Sequence, residues 1–170
     1  MISIRKKYFN LVSVASILFV AYLAIISYWQ IGYWQNRHTF WSRIQDVSGP
    51  NYRAYIHLAL DYFERGMLKE SRIQALEAIS FLPSRPEAYR AMGNIAMVER
   101  DYQAAEQLYL MALSRGGDSA ELQNDLGVAL AEQGHIVEGL MALRRALYME
   151  PTLIKAENNI KLYGGEQKSR

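Results

Sequence analysis

A residue pattern that recurs with a period of about 34 residues constrains this chain more than any other feature. When the chain is offset against itself by that interval, large and small apolar residues come into register three times between residues 52 and 153. The first copy is Tyr55, Leu58, Ala59, Tyr62, Gly66, Ala75, Ala78 and Pro83; the second is Tyr89, Met92, Gly93, Ala96, Tyr102, Ala105, Tyr109 and Ala112; the third is Leu126, Gly127, Leu130, Gly134, Leu143, Ala146 and Pro151. A fixed period of this length is typical of repeat architectures, in which each unit buries its apolar face against its neighbours.

Each copy has the pattern of two helices joined by a turn. In the first half, large residues at i, i+3 and i+7 form an apolar helical stripe, and a small residue at i+4 makes a notch that lets a second helix approach closely. The notch residues are Ala59, Gly93 and Gly127. Gly66 and Gly134 mark the reversal of the chain, and Pro83 and Pro151 end the second helix.

These residues resemble the tetratricopeptide repeat (TPR) family, whose unit of about 34 residues is two antiparallel helices with Trp or Tyr, Leu-Gly, Tyr, Ala, an aromatic residue, Ala and Pro at these places. The resemblance implies an α-solenoid of three repeats over residues 52–85, 86–119 and 120–153. Four positions depart from the family pattern, namely Ser71 for Ala, Ala96 for Tyr, Gln123 for the first aromatic residue and Gly117 for Pro.

A solenoid needs ends that cover its terminal apolar faces. One repeat before the first copy, Trp41 and Ile44 lie at the positions of the second-helix aromatic residue and Ala. We therefore expect residues 32–51 to be a half-repeat, with a helix at 39–47 that packs on the first copy.

The other end of the array has an amphipathic segment after Pro151. We expect residues 154–163 to form a capping helix that ends at Gly164 and Gly165, followed by a disordered tail within 164–170.

An uncharged segment precedes the repeats. The 21 residues from Phe9 to Trp29 are mostly apolar and would span roughly 31 Å as a helix, close to the thickness of a bilayer core. The segment predicts a transmembrane helix over residues 9–31 after a basic start at 1–8. A secretory signal peptide is the alternative, but its apolar core is shorter and is followed by a small-residue cleavage site.

The charges beside this segment predict an orientation. Arg5, Lys6 and Lys7 precede it, whereas Arg37 and Arg43 follow at a greater distance. Basic residues next to a span stay in the cytoplasm, so we expect a single-pass protein with a cytoplasmic N-terminus and periplasmic or lumenal repeats, in a bacterial inner membrane. The complete expectation is an all-α chain with an N-terminal single transmembrane helix followed by a three-repeat TPR α-solenoid with a C-terminal capping helix.

Charge and residue types exclude several kinds of chemistry. From Arg37 onward there are 16 Lys or Arg against 17 Asp or Glu, which gives no basic surface for nucleic acid. The absence of cysteine excludes disulfides and thiol catalysis. Neither a hydrolase or P-loop motif nor a metal-binding histidine spacing occurs. We therefore expect a non-enzyme with no catalytic residue, metal, cofactor or small-molecule substrate.

The TPR resemblance implies a concave groove lined by the first helix of each repeat. The residues in phase with it, and hence the candidate protein-binding residues, are Arg53, Ile56, Leu60, Phe63, Glu87, Arg90, Asn94, Met97, Glu121, Asn124, Val128 and Lys155. Leu60, Phe63 and Met97 would form an apolar patch for a peptide or helix if they are exposed. The alternative is that they pack inside the solenoid.

These features favour a membrane-anchored TPR scaffold that binds a peptide or helix segment of another protein, contacts lipid through residues 9–31, and assembles a membrane or periplasmic complex. One alternative is an accessory or substrate-binding subunit of a membrane glycosyltransferase, since the passage from Asn36 to Asn51 into repeats is similar to the junction in large repeat-bearing glycosyltransferases. A second is a structural subunit of a large membrane complex, with the apolar helix as its contact.

Overall fold

The computed structural model describes residues 16, 18–26 and 37–166, and within these ranges the regular structure is helical throughout. Residues 18–26 are helical. Eight further helices follow: α1 Arg37–Ser48, α2 Tyr52–Glu64, α3 Leu68–Phe81, α4 Pro86–Val98, α5 Tyr102–Ser114, α6 Ala120–Glu132, α7 Ile136–Met149 and α8 Ile154–Glu166. The expected tail beyond Glu166 and the basic start at 1–8 lie outside the described residues.

The expected transmembrane helix over residues 9–31 is a prediction that the structure corrects. None of the helices within the described ranges is long and apolar enough to cross a bilayer. Inside the predicted span, the structure describes residues 16 and 18–26, and these are helical. The rest of the predicted span lies outside the described residues.

Three further predictions depended on that helix and are corrected with it. The fold class stands as an all-α TPR-like solenoid without the membrane helix. The single-pass localisation with periplasmic or lumenal repeats is wrong, and the lipid contact through residues 9–31 has no support.

The solenoid is built from three antiparallel helix pairs, α2 with α3, α4 with α5 and α6 with α7, which make the most extensive contacts between elements. In each pair the chain reverses through one residue with positive φ. These are Gly66 at 74°, Arg100 at 62° and Gly134 at 89°. Glycine adopts this left-handed conformation without steric cost, and the middle turn reaches it with arginine.

Close approach of paired helices depends on the notch residues. A Cβ atom added at Gly93 would lie 2.4 Å from Cε1 of Tyr109, a side chain that is only 1% exposed. At the next pair, a Cβ at Gly139 would lie 2.7 Å from the backbone oxygen of Gly127. In these two pairs the helices therefore meet at distances that only residues without a side chain permit.

The second helix of each pair is shared with the next pair. One buried cluster combines Tyr89 and Ala96 of α4, Ala105 and Tyr109 of α5, and Leu126 of α6. Because α5 contributes to both sides, successive pairs enclose one continuous core. Ser71, which stands where the family pattern has Ala, fits into this core. It is buried, and its Oγ donates a hydrogen bond to the carbonyl oxygen of Ala59 at 2.7 Å.

Helix α1 docks on α2 in the way that each second helix docks on the next pair. A side-chain hydrogen bond at one constant sequence separation joins each such junction. The pairs are Arg37 with Glu64, Arg72 with Glu99, and Gln133 with Glu106. Because of this periodic link, α1 corresponds to the second helix of a repeat and precedes the first complete pair. Its bounds are wider than the expected 39–47.

Two further contacts hold α1. Asp61 is 5% exposed, and its carboxylate is contacted by Arg65, which follows the end of α2, and by Arg37 and His38 of α1. The rings of Trp41 and His57 stack with their centroids 4.1 Å apart and their planes 10° apart. A buried carboxylate and a stacked ring pair thus fix α1 at the start of the described solenoid.

Helix α8 begins one repeat period after the start of α6 and therefore corresponds to the first helix of a repeat. Its notch position, one repeat period after Gly127, is Lys161, which forms an ion pair with Glu157 at 2.6 Å. A charged side chain at the notch position makes this face of α8 polar, as is typical of the outer face of a capping helix. The helix continues to Glu166 and includes Gly164 and Gly165, at which we expected it to end; helical glycine costs only about 1 kcal/mol.

Replacing Gly139 by Ala should lower the unfolding free energy by about 1–3 kcal/mol, because the obstacle to the new methyl group is the Gly127 backbone, which cannot rotate away. Urea denaturation followed by far-ultraviolet circular dichroism measures this. Gly165→Ala is the matched control, since a Cβ there meets no atom within 4 Å. Equal stability of the two variants would contradict the role given to the close approach of α6 and α7 at Gly139.

Acidification should weaken the α1–α2 junction. Burial lowers the pKa of His57, and the charges of Arg37 and Arg53 lower it further. At pH values below the ordinary histidine pKa of about 6.5, the unfolded chain binds a proton at His57 that the folded chain resists. The unfolding free energy therefore decreases as the pH is lowered in that range. We expect His57→Gln to reduce this pH dependence of stability, as measured by urea denaturation at pH values above and below about 6.5. A pH dependence of stability that is the same in the wild type and in His57→Gln would contradict this assignment.

Candidate protein-binding surface on the inner helices

The contacts between helices determine which side of the solenoid is concave. Each first helix contacts the next first helix directly, so that α2, α4, α6 and α8 form a continuous series. Within the described ranges, no comparable contacts join the second helices α3, α5 and α7 to one another. The first helices therefore lie on the inner, shorter side of the curve, and we call their exposed side the inner surface.

Side-chain hydrogen bonds at a second constant sequence separation connect successive inner helices. They join Tyr52 to Glu87 at 2.8 Å, Arg90 to Asp125 at 2.9 Å, and Asn159 to Asn124 at 2.8 Å. Each bond crosses one junction of the inner surface, and together they bridge all three junctions. They set the spacing at which side chains are presented to a partner.

A row of charged side chains lies at the beginning of the inner helices. Its members recur once in each repeat period and are all exposed: Arg53, Glu87, Glu121 and Lys155. The two acidic residues lie between two basic residues. The row thus carries negative charge at its centre and positive charge at its ends.

The carboxyl group of Glu121 is ionised over a wide pH range. Hydrogen bonds from its own backbone N–H and from the Ser119 side chain lower its pKa, and the charges of Arg90 and Lys155 lower it further. The centre of the row therefore remains negative well below neutral pH.

The predicted apolar groove residues pack toward the core. Ile56 is buried, while Leu60, Phe63, Met97 and Val128 are half-buried against buried clusters. Leu60, Phe63 and Met97 contact three different clusters and do not form one exposed patch. Of the two possibilities that the sequence left open, these contacts favour packing within the solenoid.

The remaining predicted polar residues have partners inside the protein. Tyr109 donates its hydroxyl hydrogen to the Asn94 side-chain oxygen at 2.9 Å, and burial, together with the charge of Asp125, raises the pKa of Tyr109. Arg90 pairs with Asp125, and Asn124 is 7% exposed. These residues position the inner helices, and the row of exposed charges remains as the accessible part of the predicted site.

Two pockets open beside the beginnings of the inner helices. The first pocket measures about 530 Å³ and is lined by Pro50, Tyr52, Arg53, Phe81, Leu82 and Arg85 among others. The second pocket measures about 290 Å³ and is lined by residues that include Pro86, Glu87, Arg90, Gly116, Asp118 and Ser119. Sequence reasoning found Arg53, Glu87 and Arg90 but missed Phe81 and Arg85, because these two lie at a helix end and in a loop and carry no inner-helix periodicity.

Within the described ranges, His, Asp and Glu side chains do not assemble in the groups of three that could hold a metal ion. The charged row and the two pockets offer hydrogen-bonding groups, charge and small apolar walls. Such a surface can recognise an extended or helical segment of another protein.

Comparison with solved structures shows the fold. The chain superposes on YrrB, described as a TPR protein with an unusual peptide-binding site, with a TM-score of 0.64 and 22% identity over 68% of this chain and 60% of that chain. This chain has the tetratricopeptide repeat fold. The predicted TPR architecture is thereby confirmed, although no protein-family model matches the sequence.

Two curated proteins are similar to this chain in sequence. One is the type IV pilus assembly protein PilF of Pseudomonas aeruginosa, 29% identical over 93 residues, which are 55% of this chain and 37% of that protein. The other is the peroxisomal targeting signal receptor of Eremothecium gossypii, 27% identical over 137 residues, which are 79% of this chain and 24% of that protein. This chain thus spans well under half the length of each relative.

A double-mutant cycle at Arg90 and Asp125 should give a coupling energy of about 0.2–1 kcal/mol, because both side chains are partly exposed, at 36% and 22%. Urea denaturation of the wild type, both single Ala variants and the double variant measures it. The coupling should shrink at high salt, since solvent-exposed charges are screened. A coupling near zero at low salt would contradict the assignment of this pair as a link between α4 and α6.

Proposed function

We propose that this chain is a protein-interaction scaffold whose inner surface holds a segment of a partner protein and thereby contributes to the assembly of a protein complex. The single observation that carries the proposal is the exposed row of Arg53, Glu87, Glu121 and Lys155 on directly stacked inner helices. The apolar residues of the inner helices pack against the core, whereas these four charged side chains are exposed to solvent.

The comparisons support this proposal in a general way. YrrB is described as having a peptide-binding site, PilF as an assembly protein, and the peroxisomal protein as a targeting-signal receptor. Each description concerns a protein that recognises or assembles other proteins. A binding role for the shared helical array of this chain is consistent with all three.

The charge pattern specifies how the partner is recognised. A partner segment that fits the row carries basic groups opposite Glu87 and Glu121 and acidic groups near Arg53 and Lys155. Charge contacts of this kind guide association and select the partner, and they weaken as salt rises. The scaffold needs no reaction chemistry of its own.

A photo-cross-linking residue tests the location of the partner. With p-benzoylphenylalanine in place of exposed Glu121, irradiation in cells should yield a discrete adduct with another protein, identified by mass spectrometry. The matched control has p-benzoylphenylalanine in place of exposed Gln107, on outer helix α5, and should not yield this adduct.

The identified partner, once purified, completes the test. Its affinity should fall by about tenfold or more in the variant Arg53→Glu with Lys155→Glu, which reverses both ends of the row. Equal adduct yields at positions 121 and 107, or unchanged affinity of the reversed variant, would refute the inner surface as the binding site.

A further inference from the structure

The two pockets occupy the same place in successive repeats but differ in chemistry. Four lining residues of the first pocket have a counterpart one repeat period later in the second. The counterparts are Tyr52 and Pro86, Arg53 and Glu87, Leu82 and Gly116, and Arg85 and Ser119. The repeat therefore builds one kind of pocket twice, and the side chains make the first pocket basic and aromatic and the second acidic and small.

Two guanidinium groups border the first pocket. The Arg85 guanidinium lies over the Tyr52 ring, 5.6 Å from its centroid, and forms an ion pair with Glu87 at 3.1 Å. Arg53 is exposed at the pocket rim. Since Glu87 balances one of these two charges, the pocket retains the equivalent of one positive charge.

The walls of the first pocket are apolar. Phe81 is 48% exposed and Leu82 is 39% exposed, and both border the pocket beside Pro50. Arginine recognises a carboxylate by charge-assisted hydrogen bonds, and an exposed aromatic side chain gains free energy when an apolar group covers it. Both kinds of recognition are available within one pocket.

The second pocket lacks these properties. It is bordered by Glu87 and Asp118, and its Arg90 is paired with Asp125. Asp118 is itself paired with Arg145, while the wall at Gly116 and Gly117 has no side chains. The charged residues among those that line this pocket are Glu87, Arg90 and Asp118, and each is already paired, with Arg85, Asp125 and Arg145 respectively. No cation of this lining is left to receive a carboxylate, and so the pair of pockets distinguishes the two ends of a bound segment.

We propose that the first pocket binds an acidic side chain of a partner protein together with the apolar side chain next to it. The proposal rests on the proposed function, since it names the chemistry of the segment held at one end of the inner surface. The carboxylate lies between Arg53 and Arg85, and the apolar side chain covers Phe81 and Leu82. The acidic end of the segment is thereby placed at the first repeat, which sets its direction along the solenoid.

Fluorescein-labelled peptides test this inference on the full chain. The acidic probe is a short peptide of alternating Glu and Leu, and the matched probes replace Glu by Gln or Leu by Ser. We expect the acidic probe to bind at least about tenfold more tightly than either matched probe in fluorescence anisotropy, with an affinity that falls as salt rises.

Protein variants locate the binding. The pair Arg53→Glu and Arg85→Glu should weaken binding of the acidic probe by about tenfold or more. The control pair Lys69→Glu and Arg144→Glu makes the same charge change at exposed positions of α3 and α7 and should leave binding unchanged. The milder pair Arg53→Gln and Arg85→Gln serves if the reversed pair loses its circular dichroism signal.

Three outcomes overturn the pocket proposal: no preference for the acidic probe, equal loss of binding in the control pair, or unchanged binding in both Arg53 and Arg85 pairs. A partner captured by cross-linking at position 121, combined with any of these outcomes, would leave the scaffold function standing and refute only the pocket. Failure of the cross-linking alone would refute the scaffold function while the peptide result stands separately.

Discussion

The close approach of paired helices at small residues is the constraint on which the rest of the structure depends. At Gly93 the Tyr109 ring occupies the space of a side chain, and at Gly127 and Gly139 two backbones meet. This approach brings α5 and α7 near enough for their buried residues to serve two neighbouring pairs. Without this close approach, the apolar faces of successive pairs would not contact one another, and the core would not be continuous.

The same repeated geometry explains how the described solenoid ends. At its beginning, the Asp61 carboxylate and the stacked rings of Trp41 and His57 hold α1 in the place of the second helix of a repeat. At its other end, Lys161 replaces the notch residue, and its pairing with Glu157 makes that face of α8 polar. A buried carboxylate and a stacked ring pair thus attach α1 at one end, and charged side chains occupy the notch face of α8 at the other.

The proposed binding function rests on how the inner helices divide their side chains. Their apolar positions support the core, their central polar positions link one inner helix to the next, and their first exposed position varies in charge from repeat to repeat. A constant frame with variable charges can acquire specificity without a change of fold. The two pockets follow this logic, because Arg53 and Glu87 occupy equivalent places in the frame but attract opposite charges.

The sequence by itself determined the helical repeat, its period and its turns at Gly66 and Gly134, because these depend on local periodicity and on the steric limits of single residues. It misjudged the apolar segment at 9–31, since none of the described helices is long and apolar enough to cross a bilayer. Only the tertiary structure decided that Leu60 and Met97 serve the core, and that Phe81 and Arg85 join Arg53 around one pocket. Those outcomes depend on contacts between residues far apart in the chain, which no periodicity within one helix can specify.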